Sequence, residues 1–429
     1  MKLNLHISPL VARGRRSRAA AAAALVLVLA AGAGAAVAAA RGSSLTPRDR
    51  DWQEDIAYLT AELPKVHVDH LTGGVTRSQW MTAAARLEAQ VPRLSGGQII
   101  AGMARIVALL RDDETELLVT ARSGYPLKWV WIGSGLYALD VPAADGRLLG
   151  ARLVAIDGHP VRHVLALLAA TIDGEDPGLV TVEEAMLLQS PSWLADLGVV
   201  RSVASAQFTV RLPSGRLVTA RIESVGPGGA LRTIPPIRTV PQQWYQQHQS
   251  EPYWMTVLAA RHAVYLKYNQ CLDNDGFQRL AARALALLRA HPAYRLILDL
   301  RDNGGGTTSP VQTLVTWIRA DPQLDRRSRI LVLIDGNDYS SAGFDSYLLQ
   351  SEANAVLIGQ PTAEQADTYG DDTGRLRLPH FGVGVVYTTA VVNQTGARMG
   401  VPNIYVAPTL QDWLTGSDPV LATALAYRS

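Results

Sequence analysis

The stretch LILDLRDNGGG, Leu296 to Gly306, decides the fold. Leu296, Ile297, Leu298 and Leu300 form an apolar run broken only by Asp299. Arg301, Asp302 and Asn303 follow, and then three glycines. A short, continuous apolar run reads as a strand covered on both faces, as in a parallel sheet. Glycine has no Cβ, so a strand that stops on a Gly triplet leaves backbone amides open to close approach. Such amides can form an anion cradle or an oxyanion hole. A tight turn is the plainer reading of the same triplet. A phosphate loop is excluded, because that pattern continues Gly-Lys-Ser/Thr and this chain continues Thr307-Thr308. Asp299 and Arg301 read as a strand-end salt bridge rather than as catalytic groups.

Working outward, RILVLID is a second buried strand and NAVLIG a third. PVQTLVTWIRA and SAGFDSYLLQS between them are helical. Strand–helix–strand–helix order implies parallel pairing with right-handed crossovers. Chemistry in such sheets sits beyond the carboxyl ends of the strands. Two of those ends carry RDNGGG and GNDYSSAG. In the second, Ser340 and Ser341 stand at the strand-to-helix junction. A hydroxyl there suits a nucleophile whose oxyanion lies between a neighbouring N–H and a glycine N–H. A helix-capping serine is the ordinary alternative. Before this unit, AVYLKYN reads as a strand, and Asp275 to Arg289 as a helix with Phe277, Leu280, Ala284 and Leu288 inward.

The first half of the chain is of different character. Residues 52–110 are helical, with Ser95 and Gln98 in capping-box spacing and Ile99, Met103, Ile106, Val107 and Leu110 on one face. Mostly strands follow, including ARLVAIDGHPV with its Asp-Gly turn. Helical text returns at Val182–Leu197, and AQFTVRLPSGRLVTARIESV is a hairpin about Pro-Ser-Gly. GPGGALRTIPPIRTVPQQ has the composition of a linker. The expected order is a targeting segment over 1–41, an N-terminal helical domain over 42–116, a β-rich segment over 117–240, and an α/β core domain over 241–429.

Arg13, Arg15, Arg16 and Arg18 precede an uncharged, Ala-rich run from Ala19 to Ala40. That is the pattern of a signal peptide, and at 22 residues the run also suffices for a single membrane anchor. The expectation is an extracytoplasmic protein, secreted or held at the cell envelope, touching membrane only through this segment if it is uncleaved. The five positive side chains before residue 41 (Lys2 and four arginines) have no acidic counterpart, so without them the formal +2 becomes −3. A slightly acidic body offers no electrostatic footprint for nucleic acid. Cys271 is the sole cysteine, which excludes an internal disulfide and a Cys-based metal site. His67 and His70 in KVHVDH suit one helical face, but no third ligand accompanies them. Neither a metal nor a cofactor is expected.

LILDLRDNGGG, VLIDGNDYSSAGF and VLIGQPTAE, in that order, resemble the C-terminal processing (tail-specific) serine proteases. The nearer branch includes the tricorn protease core and the interphotoreceptor retinoid-binding protein repeats. MARIVALLRDDET, LVAIDGHPV, YLKYNQC and YGDDTGRLRLPHFGVGV extend the resemblance over most of residues 52–425. It implies an α/β fold with a crotonase-like ββα core and parallel sheet, an N-terminal helical domain and a PDZ-like, β-rich middle segment. It also implies a nucleophile at Ser341, backbone oxyanion donors at Ala342 and Gly305, and substrate contacts at Gly304, Gly306 and Gln365. A peptide or protein is the implied partner.

The chain departs from the family where the general base belongs. A serine hydroxyl is a weak nucleophile without one. One branch of the family uses a lysine in a GxPTxGK loop; here GQPTAEQ puts Gln365 in its place, and no lysine follows Lys267. The other uses a histidine in a DGHT-like turn; here DDET puts Glu114 there. Asn403 in VPNIYV stands where an acid usually orients that histidine. Substitute bases are Glu114, His67, His70, Lys267, Glu364 and Asp367, with Glu114 the chosen candidate if burial raises its pKa. Two readings follow: an exported serine-type peptidase of reduced or atypical activity, or an inactive relative binding peptides or a hydrophobic ligand in the retained cleft. A third reading, a crotonase-type acyl-CoA enzyme, shares the sheet-and-helix core but gains no support from the serine junction.

Overall fold

A computed structural model describes residues 45–428 except 72–73, 120–122, 175, 227–236, 273–274, 364–367, 371–372 and 393–398. The Ala19–Ala40 segment and the expected site residues Glu364, Gln365 and Asp367 lie outside the described residues. No helix among the described residues is long and apolar enough to cross a membrane.

The strand read from LILDLRDNGGG spans Arg295–Asp299 and lies inside a six-stranded sheet. In spatial order the strands are Ile404–Tyr405, Val356–Gly359, Ile330–Ile334, Arg295–Asp299, Ala263–Tyr268 and Tyr253–Leu258. All neighbours pair in parallel except the last two, which are antiparallel. Alternation sends successive side chains to opposite faces. Leu296, Leu298, Val332, Ile334 and Leu357 face the helices Asp275–Ala290, Ser309–Arg319 and Ser341–Glu352. Ile297, Leu331, Leu333 and Ile358 face the C-terminal helix Pro419–Ala426 and the rings of Trp244 and Trp254. Cover on both faces explains the continuous apolar runs at the centre of these strands.

Asp299 and Arg301 pair at 2.6 Å, both buried. Arg301 reaches on to both carboxylate oxygens of Asp418 at 2.9 Å and lies 4.0 Å above the Tyr245 ring. Tyr265 Oη donates to Asp299 at 2.7 Å. Asp418 also caps the C-terminal helix through the Leu421 amide. This satisfied network fastens that helix to the end of the site-bearing strand.

The N-terminal helices Pro47–Val66, Arg77–Glu88 and Gly96–Val107 each open on a capping box, from Thr46, Thr76 and Ser95. A second sheet contains Lys128–Ile132, Gly135–Pro142, Arg152–Ile156, Ser205–Arg211 and Leu217–Glu223, the last two forming the expected hairpin. Ile237–Thr239, inside the stretch read as a linker, pairs with Gly135–Pro142. Helices and sheet share one apolar cluster, from Trp52 to Ile222, joined by Leu378, Val383 and Val385 from the hairpin after the third core strand. Glu116–Leu118 pairs with Gly384–Tyr387 of that hairpin, so the acidic turn preceding residue 116 is fixed against a segment belonging to the core half of the chain.

Candidate functional site

Ser341 is the first residue of the Ser341–Glu352 helix and is half-buried. Its Oγ donates to the carbonyl of Gly306 at 2.9 Å. The glycine triplet and the serine junction, 35 residues apart in sequence, therefore meet at the carboxyl ends of adjacent parallel strands. Ser340 precedes the nucleophile candidate with φ 53° and ψ −129°, a conformation that costs a non-glycine residue about 1–3 kcal/mol. Surrounding hydrogen bonds hold it: Tyr339 N–H to Asn303 O at 3.1 Å and Ala342 N–H to Tyr339 O at 3.1 Å.

Glycine is required at two of the three positions. Gly305 has φ 93°, and a Cβ there would stand 2.8 Å from both Ser340 Cβ and Tyr339 O. Gly306 has φ 137°, and its Cβ would stand 2.2 Å from Cys271 O. Nothing crowds Gly304, which is exposed. Gly305 N–H donates to Asn303 Oδ1 at 2.9 Å, and Ala342 N–H to Tyr339 O, so both amides are already engaged. Among the described residues the amides of Gly304 and Gly306 meet no protein acceptor.

Asn303, whose role the sequence reading missed, organises the loop. It is buried, donates through Nδ2 to Tyr268 O at 3.0 Å, and takes the Gly305 amide on Oδ1. Its own N–H reaches Asp338 Oδ1 at 3.3 Å. An Asn two residues before a glycine is a readable Asx-turn signal. Beneath it, Cys271 Sγ lies 3.6 Å from both Asn303 Oδ1 and Asp345 Oδ2. Burial pushes the Asp345 carboxyl well up and the Cys271 thiol up.

Lys267 is fully buried, and its Nζ donates to Arg301 O at 2.6 Å, Asp299 O at 3.3 Å and Tyr268 O at 3.4 Å. Burial lowers its pKa, against the nearby Asp299, Asp338 and Asp302. Its three donors tie strand-end carbonyls together, a structural employment that leaves no lone pair directed at Ser341. Asp335 and Asp338 close the same edge. Burial and then the charge of Asp302 push Asp335 to about 7, and burial and Asp335 push Asp338 well up.

The acidic turn is the second part of the site. Asp112 Oδ2 accepts from His67 Nε2 at 2.6 Å, Thr115 Oγ1 at 2.6 Å and Thr388 Oγ1 at 2.5 Å. Burial raises the Asp112 pKa, but the donors outweigh burial and hold it below the usual carboxylate range. His67 is fully buried and accepts the Asp69 amide on Nδ1 at 3.1 Å, which places its proton on Nε2 against Asp112. It ties the helix end at residue 67 to the acidic turn. His70 is exposed, with Nδ1 3.1 Å from Pro64 O. Glu114 is half-buried, and its amide caps Asp112 Oδ1 at 3.0 Å. Tyr339 Oη, two residues before Ser341, donates to Asp113 O at 3.2 Å and so joins turn to elbow. Asn403 is bound elsewhere: its Oδ1 takes the Leu357 amide at 2.9 Å and Gln350 Nε2 at 3.1 Å. Among the described residues no side chain hydrogen-bonds the Ser341 hydroxyl.

The elements and their order define a mixed α/β protein whose fold is shared with solved structures of mature CPAF. In particular, the chain is similar to mature CPAF, at 14% identity over 89% of this chain and 98% of that one, with a TM-score of 0.61. Against mature CPAF complexed with lactacystin the values are 15%, 89%, 100% and 0.62. A looser likeness, TM-score 0.40 at 16% identity, extends to the photosystem II D1 C-terminal processing protease, over 88% of this chain and 99% of that one. No protein-family model matches the chain, and no curated protein does.

Proposed function

We propose that the chain is an exported serine-type peptidase acting through Ser341 on peptides or proteins. The observation that carries this reading is a half-buried helix-N-terminal hydroxyl, 2.9 Å from a glycine-loop carbonyl, on a strained elbow at the end of a parallel strand. A nucleophile needs that kind of presentation, and packing alone does not. The crotonase-like core and the PDZ-like middle segment belong to the same reading, as does export through the Ala-rich leader. Gly304 and Gly306 have amides free to receive the oxygen of a tetrahedral intermediate. Gly305 and Ala342 would join them only if Asn303 and Tyr339 release their hydrogens. Glu114 is the base candidate, carried on the turn that touches Tyr339.

A second reading is favoured by one observation: among the described residues the Ser341 hydroxyl has the Gly306 carbonyl for its partner and no side-chain base. Loss of a triad's base leaves only the roughly thousand- to ten-thousand-fold catalysis that an oxyanion site and binding supply. On that reading the chain holds peptide ends or a hydrophobic ligand without cleaving them. The cavity of about 360 Å³ beside Asp302, with Lys128, Asp140 and Trp413 in its wall, is available to either activity.

A fluorophosphonate probe separates the two. The catalytic reading expects one adduct on the folded full chain, lost in Ser341→Ala and kept in Ser340→Ala. Absence of any adduct after hours at millimolar probe, with the protein still folded, gives the binder.

A further inference from the structure

A cavity of about 490 Å³ lies among the Gly96–Val107 helix, the Glu116–Leu118 strand and the Pro177–Leu187 helix. Four carboxylates line it: Asp113, Glu116, Asp173 and Glu183. Trp193 forms part of its apolar wall, and Met186, 63% exposed, marks its open side. No Lys, Arg or His occurs among its described lining residues. Asp173 is only 9% exposed, and its Oδ1 meets no hydrogen-bond partner among the described residues. Buried carboxyl oxygens are ordinarily paired, so an orphan oxygen in an acid-lined cavity points to a ligand that donates. Burial and then Glu183 and the other neighbouring carboxylates push Asp173 well up; burial and Glu116 push Glu183 to about 7. An incoming cation relieves that mutual repulsion. The described acids do not converge as metal ligands do, whereas a long apolar stem with a charged head fits both the acids and the wall.

We propose that this cavity binds a lysine or arginine side chain of a polypeptide, its cationic head on Asp173 and its stem along Trp193 and Met186. The cavity adjoins the serine elbow, because Asp113 lines it and also accepts the hydrogen bond from Tyr339. The inference deepens the peptidase reading by naming a substrate class, and rests on that reading only in taking the ligand to be a polypeptide.

The test is calorimetric binding of acetyl-Ala-Ala-Arg-Ala-Ala-amide and its citrulline counterpart, which keeps the shape and removes the charge. The full chain carries Ser341→Ala so that turnover cannot interfere. The arginine peptide should bind about tenfold tighter or more, and Asp173→Asn should bring the two peptides to within about twofold. Glu183→Gln, on the rim of the same charge cluster, should reduce the preference by about threefold and keeps the test alive if Asp173→Asn does not fold. Equal affinity for both peptides, or a preference untouched by the variants, overturns the proposal. Fluorophosphonate labelling of the Ser341-bearing chain reports separately on the peptidase reading: labelling without arginine preference removes this subsite alone, and preference without labelling removes hydrolysis alone.

Discussion

The serine elbow and the acidic turn stand one hydrogen bond apart, through Tyr339 and Asp113, yet they hold their shapes by different means. The elbow depends on backbone: Gly305 and Gly306 admit approaches that no Cβ would survive, and Ser340 stores strain that its neighbours balance. The turn depends on charge: one buried carboxylate, Asp112, gathers Thr115 from its own turn and His67 and Thr388 from distant parts of the chain. Steric errors in the first have little escape, because the colliding atoms are main-chain oxygens and a Cβ fixed to the backbone. Losses in the second are electrostatic and leave the elbow's geometry standing.

Gly306→Ala is the strongest test of that contrast. Its methyl would meet Cys271 O, and the φ of 137° is itself hostile to alanine. A loss of about 3 kcal/mol or more is expected in urea unfolding, with Ser341 labelling lost even where the protein remains folded. A drop below about 1 kcal/mol would mean the loop bends more easily than its backbone contact implies.

Next in size is His67→Ala, expected to cost about 2–3 kcal/mol by leaving Asp112 buried and short of a charge-assisted donor. The rate of Ser341 labelling should change by less than about threefold if His67 only anchors the turn. A fall of orders of magnitude, the effect of deleting a general base, would make His67 a participant and erase the distinction between the two regions.

How these regions were legible in the sequence follows from the same contrast. The elbow is local: RDNGGG and NDYSSAG each announce a strand end, and sheet topology brings adjacent strand ends together. The buried Asp299–Arg301 pair was readable because its partners are two residues apart; Asp418, which completes it, was not. The turn is non-local. DDET displays three acids and no indication of which one will be buried, because the burial comes from His67 and Thr388, 45 residues before and 276 residues after Asp112. Lys267 misled for a related reason: a lysine in an apolar strand looks like a desolvated base until its three carbonyl acceptors are known. The strand Ile237–Thr239 hid in linker composition because its pairing partner, Gly135–Pro142, lies a hundred residues back.

Acid and base titration should move the two regions in opposite senses. Asp112 has a folded pKa below its unfolded value, so its contribution is present above the usual carboxylate range and lost as pH falls through the folded value. Asp335, at the elbow's edge, has a folded pKa of about 7, so the folded state holds a proton the unfolded state has shed. Stability from that group is full below about pH 4 and declines as pH rises toward about 7. Asp335→Asn should therefore flatten the unfolding-midpoint profile between those limits, and Asp112→Asn should flatten it only below about pH 4. Profiles that change in the same window for both variants would contradict the opposed environments.

Tyr339→Phe should give the smallest effect and the most specific one. It deletes the hydroxyl that donates to Asp113 O while keeping the ring, and one such bond is worth about 1 kcal/mol in stability. If elbow and turn are separately held, labelling of Ser341 stays within about twofold of the parent, and the stability costs of Tyr339→Phe and His67→Ala add to within about 0.5 kcal/mol in a double-mutant cycle. If the hydroxyl transmits the turn's position to the nucleophile, the two substitutions fall short of additivity. His67→Ala then slows labelling only while Tyr339 is present. That second pattern would make the buried His67–Asp112 pair a positioning device for Ser341, acting through one phenol at 3.2 Å.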